Sequence, residues 1–155
     1  MNRISWCKKQ EKGIKLIEPS HNLSEEYYRN AEESLKVLRS IKETKSNMWL
    51  ATTKYYIEYF AVYSVLMKLG IKCEIHDCTI AMVNLLEKEN IIKSGTSKLL
   101  EKDKEVRIDN QYYLKNKPVD TDFEKLSAFL LSIKESLDRL NKDVINQLRI
   151  KIRKL

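Results

Sequence analysis

Apolar residues recur along the chain at spacings of three and four, the period of one helix face. Tyr28, Ala31, Leu35 and Leu38 mark the first such face, on a helix running to about Ile41. Ser24 is its expected N-cap, because a hydroxyl there accepts from an orphan backbone N–H, and Glu25 and Glu26 complement the positive end of the helix dipole. The second helix, about Asn47 to Leu69, carries two stripes. Trp49, Thr53, Tyr56, Phe60, Tyr63 and Met67 form one, and Leu50, Ile57, Ala61 and Val65 the other. Apolar residues on more than one face predict neighbours on several sides, hence a central helix. Gly70 closes it, since glycine enters the left-handed region cheaply.

A short helix from about His76 to Lys88 places Ile80, Val83 and Leu86 on one side. After a break at Gly95, a strongly charged helix from about Thr96 to Leu114 puts Leu99, Val106 and Tyr113 on a common face. Pro118 stops it, and Asp120 or Thr121 caps the last long helix. There Phe123, Leu126, Leu130, Ile133, Leu137 and Leu140 form a bundle seam. The pattern continues more loosely through Val144, Leu148 and Ile152. Residues 1–22, punctuated by Gly13 and Pro19, read as an irregular N-terminal arm, and 141–155 as a basic C-terminal helix extension. No repeat, low-complexity tract or linker divides the chain. The expectation is one all-α domain over 1–155, a four- to five-helix up-and-down antiparallel bundle.

Composition agrees. Three Gly and two Pro among 155 residues suit few, long elements joined by short connections. The length suits one domain whose core needs no disulfide or metal staple. Met1 to Pro19 is interrupted by Lys8, Lys9, Glu11, Lys12 and Lys15, which leaves no apolar core for a leader. The stretch Tyr55 to Leu69 is too short to cross a bilayer and holds Glu58, Ser64 and Lys68. Cys7, Cys73 and Cys78 are odd in number and too few for a disulfide scaffold, which suits a reducing compartment. A cytoplasmic protein with no membrane partner is therefore expected.

The formal charge of +7 changes the picture only toward an acidic partner. Lys142, Arg149, Lys151, Arg153 and Lys154 face only Asp143 in the last fifteen positions, a basic end that can steer toward phosphate and equally suits a helix C-terminus. Paired catalytic carboxylates, a Gly-rich phosphate loop and a GxSxG elbow are absent, which removes most common enzyme classes. Cys73, His76 and Cys78 lack a fourth ligand for a closed zinc site, so the two cysteines read as small core thiols, and neither metal nor cofactor is expected. Lys72 and His76 flank a helix start, where a cation and an imidazole beside backbone N–H groups could hold phosphate; the plainer reading of His76 is capping or packing. Arg107 can grip phosphate bidentately, with Asp109, Tyr112 and Tyr113 within two turns. The plainer reading is an exposed arginine beside a packed Tyr113.

The order of these segments is distinctive. Thr53-Lys54-Tyr55-Tyr56-Ile57-Glu58-Tyr59-Phe60-Ala61-Val62-Tyr63, then Leu69-Gly70-Ile71-Lys72 and His76, resembles the second and third helices of HEPN (higher eukaryotes and prokaryotes nucleotide-binding) domains. Arg107-Ile108-Asp109-Asn110-Gln111-Tyr112-Tyr113 stands where that family has its next helical motif, and Phe123 to Leu140 is similar to its last long helix. The opening residues, with Trp6-Cys7, Gly13-Ile14, Ile17-Glu18-Pro19 and Asn22-Leu23, look like archaeal members. The resemblance spans nearly the whole chain and lies in motif order.

It implies a helical bundle that homodimerises, binds nucleotide or RNA, and works beside a minimal nucleotidyltransferase in a toxin–antitoxin-like pair. Catalytic members are metal-independent endoribonucleases carrying Arg, four to six residues, then His. Arg107 matches the arginine as a phosphate clamp, but the position five residues on is Tyr112, and no histidine follows. A phenol with a pKa near ~10 is a poor general base at neutral pH. The leading expectation is therefore a nucleotide- or RNA-binding module whose phosphate groups are Arg107, Asp109, Lys72 and Tyr113. The alternatives are an endoribonuclease using Arg107 with His76 or Tyr112, and a structural dimerisation module joined through Tyr59 and Tyr63 of the second helix. Nucleotidylation of Tyr112 or Tyr113 by the partner is a further implication of the resemblance.

Overall fold

A computed structural model describes residues 2–155; Met1 of the expected arm lies outside them. The elements in chain order are α1 (Arg3–Lys9), β1 (Lys15–Leu16), α2 (His21–Ile41), a 3-10 turn (Lys42–Thr44), α3 (Asn47–Leu69), β2 (Ile71–Lys72), α4 (His76–Lys88), α5 (Thr96–Gln111), α6 (Phe123–Arg139) and α7 (Lys142–Lys154). The all-α class stands, with seven helices among the described residues rather than four or five. None of them is long and apolar enough to cross a membrane.

α3 is the axis of the fold. Ser46 caps its start by accepting from the Trp49 N–H, and Gly70 ends it at φ 70°. Leu50, Tyr55, Ile57, Ala61, Val62, Val65, Leu66 and Leu69 are buried along it, and α2, α5 and α6 all pack on its sides. The φ of Gly70 lies in the left-handed region, and a Cβ there would meet the Arg149 guanidinium, the Ile17 carbonyl and the Pro19 nitrogen. Arg149 closes this corner. Its Nη1 donates to the carbonyls of Ile17, Leu69 and Gly70, tying α7 to the end of α3.

Several local readings are corrected. The first 22 residues are not irregular throughout: α1 buries Ile4 and Cys7, and β1 pairs antiparallel with β2, Lys15 opposite Lys72. The fold can bury α1 because Cys7 is joined to Cys78 of α4 by a disulfide, Cα atoms 5.7 Å apart. Cys78 is therefore no free core thiol; Cys73 is free and buried. With two of three cysteines paired, their count no longer favours a reducing compartment. Ser20, not Ser24, caps α2, accepting from the Leu23 N–H, while Ser24 is buried one turn later. Asp122, rather than Asp120 or Thr121, caps α6, because its carboxylate accepts from the N–H groups of both Glu124 and Lys125. The last seam breaks at Leu140, and Asn141 caps α7 as a separate helix.

α5 departs most from expectation. It ends at Gln111, so Tyr113 does not pack inward; Tyr112 and Tyr113 are 66% and 67% exposed. Instead of presenting Leu99, Val106 and Tyr113, α5 buries Thr96, Ser97, Leu100, Asp103 and Asn110. A largely polar helix side can face inward where partners meet it there. Glu87 accepts from the Ser97 N–H at 2.6 Å, Asp103 pairs with Lys54 at 3.2 Å, and Asn110 holds both the N–H and the carbonyl of Lys117.

Candidate anion-binding site

The polar side of α5 meets an aromatic stretch of α3. Tyr55 and Tyr59, four residues apart, share one face of α3, and His76 is the first residue of α4. Tyr55 is 0% exposed, and its hydroxyl lies 2.7 Å from Nδ1 of His76. The imidazole stacks on Tyr59 with ring centroids 4.5 Å apart and on Tyr55 at 5.7 Å. On the same Tyr55 ring lies Arg107, its Cζ 4.9 Å from the centroid and 5.7 Å from that of Tyr56. A guanidinium on a ring face is held by the ring quadrupole and its own planarity.

Arg107 forms no ion pair among the described residues, and its buried Nε has no hydrogen-bond partner. Aspartates of α4 and α5 are already paired. Asp77 is paired with Lys104 and Arg3, Asp103 with Lys54, and Asp109 with Lys115 and Lys117. Burial, followed by the charges of Arg107 and Lys104, holds His76 below the ordinary imidazole range, so the ring is neutral at pH 7. Burial pushes the Tyr59 phenol up to about 12 and raises Tyr55 as well, so both hydroxyls keep their protons. The Lys104 hydrogen bond is the first cause that holds Asp77 low. The result is one uncompensated cation beside a neutral imidazole, backed by aromatic rings.

One turn along α3 from Tyr55 is a second buried group. Glu58 is fully buried, and neither of its oxygens has a hydrogen-bond partner among the described residues. Burial, then the neighbouring Asp103, pushes its carboxyl well above the usual range.

Of the residues singled out in the sequence, the structure brings Arg107 and His76 against one ring. Lys72 lies on β2 with its ammonium 3.2 Å from Glu74. Asp109 is pulled below the usual carboxylate range by Lys117 and then Lys115. Tyr112 and Tyr113 lie past the end of α5, with the Lys115 ammonium 5.7 Å from the Tyr113 ring. Tyr59 and Tyr63 pack inside the chain: Tyr63 donates to the Cys73 carbonyl at 3.1 Å, and its ring is 4.8 Å from Tyr27. Tyr55, Lys104 and Glu58 were missed. The inward side of α5 had one signal, the recurrence of Leu100, Asp103, Arg107 and Asn110 at alternating spacings of three and four. No protein-family model, curated protein or solved structure gives a significant match to this chain.

Proposed function

We propose that the chain is a nucleotide- or RNA-binding protein that takes a phosphate group at Arg107, with His76 beside it. The observation that carries this reading is the Arg107 guanidinium itself: fixed on two tyrosine rings, without an ion-pair partner among the described residues, and lacking a partner for its Nε. A phosphate would supply the missing charge and accept from the guanidinium bidentately. Trp49, 57% exposed at the start of α3, offers a face on which an unpaired base stacks. The net charge of +7 favours encounter with such a partner. The HEPN-like order of motifs adds the wider setting: a homodimer working in the cytoplasm beside a minimal nucleotidyltransferase in a toxin–antitoxin-like pair.

The second reading is a metal-independent endoribonuclease. It is favoured by one observation, that His76 and Arg107 contact the same Tyr55 ring. Arg107 would hold the scissile phosphate while His76 took the proton of the 2′-hydroxyl, whose oxygen attacks phosphorus as the 5′-oxygen leaves.

Binding of a mixed single-stranded RNA pool without added metal tests both. Wild type should bind with an affinity that falls as salt rises. Arg107→Ala should weaken binding by about tenfold or more, the loss of one charge-assisted bidentate contact. Failure of wild type to bind RNA or nucleotide, or equal binding by Arg107→Ala, would overturn the proposal. Cleavage lost in both Arg107→Ala and His76→Ala would establish the enzyme. Co-purification of a nucleotidyltransferase tests the partnership.

A further inference from the structure

We infer that Tyr55 is a positioning residue that holds His76 in the tautomer with its proton on Nε2, so that His76 acts in this site as a hydrogen-bond donor to an anion on Arg107 and not as a base. The inference rests on the phosphate-binding reading above and specifies how that site works. Tyr55 is completely buried, and the only partner of its hydroxyl among the described residues is Nδ1 of His76. A phenol has one proton to place. If it donates to Nδ1, that nitrogen is bare and the ring proton sits on Nε2. In the opposite tautomer Nδ1–H donates to the phenol, and the buried O–H is left with no acceptor, a cost that the first arrangement avoids.

The surroundings keep the ring neutral as well as oriented. From α3, Tyr55 and Tyr59 face it, both protonated. From α5 come Arg107 and Lys104, both of which oppose an imidazolium. On α4 itself Asp77 would favour one, but it is already engaged by Lys104 and by Arg3 of α1. Stacking on Tyr59 fixes the plane of the ring. A neutral imidazole with Nδ1 filled has only Nε2–H to offer, and Nε2 has no hydrogen-bond partner among the described residues. Beside a guanidinium, that N–H complements an oxyanion. It cannot accept the proton of a 2′-hydroxyl without a change of tautomer, which places this site on the binding side of the two readings.

The tautomer is measured on the full-length wild-type protein labelled with 15N, by long-range 15N–1H correlation spectra at pH 7.5. The only other histidine, His21, is assigned through His21→Gln. The expected spectrum for His76 is a protonated Nε2 and a bare Nδ1. A protonated Nδ1, an imidazolium, or an averaged pair of nitrogens overturns the inference. A short oligouridylate is then titrated from pH 7 to pH 9. A neutral donor predicts less than a twofold change in affinity, whereas a site that needs imidazolium loses about tenfold per pH unit above the histidine pKa. Tyr55→Phe keeps the ring under Arg107 and removes the hydroxyl. It should give averaged His76 nitrogens and weaken binding by about threefold to tenfold. Should that variant fail to fold, the wild-type spectrum and titration still decide. Absence of oligouridylate binding at every pH would overturn the phosphate-binding reading itself. Binding with the wrong tautomer, or with a steep loss above pH 7, would overturn only the roles of Tyr55 and His76 within it.

Discussion

Asp103 carries two buried partners at once. It compensates the Lys54 ammonium at 3.2 Å, both side chains being about nine-tenths buried, and it faces the buried carboxyl of Glu58. Asp103→Asn would leave the Lys54 charge buried and unpaired, and should lower the free energy of unfolding by about 3–5 kcal/mol in urea titrations. Glu58→Gln keeps the shape and cannot ionise. Because the folded-state pKa of Glu58 is raised, the folded protein holds its proton while the unfolded chain gives it up. Its contribution is fully present below about pH 4.5 and is lost as pH rises toward the folded value. Glu58→Gln should therefore be more stable than wild type at pH 8, with the difference vanishing near pH 4; an unchanged difference across that range would show that Glu58 is ionised in the fold. Neither burial was legible in the sequence: Asp103 sits among Glu101, Lys102, Lys104 and Glu105, and Glu58 is a lone charge between Tyr55 and Tyr63, so nothing local marks either as other than solvated. Only the facing helix shows that they are not.

α3 was legible to its end residues because the signals that marked it are local: the apolar stripes and the glycine that ends it. Gly70 is also where packing adds to conformation. A side chain there is strained by the φ of 70° and would displace Arg149 from the carbonyls it caps. Gly70→Ala should cost more than about 1 kcal/mol, seen as a fall in Tm of at least about 3 °C. α5 shows the converse. Its limits were close, Thr96 to Gln111 against Thr96 to Leu114, but the side it turns inward was missed. Periodicity of apolar residues assigns a helix face only when apolar residues line it, and this one is lined by Asp103, Arg107 and Asn110.

The Cys7–Cys78 bridge spans 71 positions and ties α1 and the first turn of the chain to α4. A closed loop of that length limits the unfolded ensemble, so reduction, or Cys7→Ser, should lower stability by about 2–4 kcal/mol in denaturant titrations. Denatured but unreduced protein should titrate a single thiol, that of Cys73; three thiols would mean the bridge does not form. Helical class and the limits of α3 and α4 could be read from the chain, because helix period and helix ends are set over a few residues. The docking of α1, the inward polar side of α5 and the meeting of Arg107, Tyr55 and His76 could not. The last of these joins positions 52 and 31 residues apart on three helices. A polar residue is driven by the same local physics toward water or toward a buried partner, and which of these it meets is settled only when the helices pack.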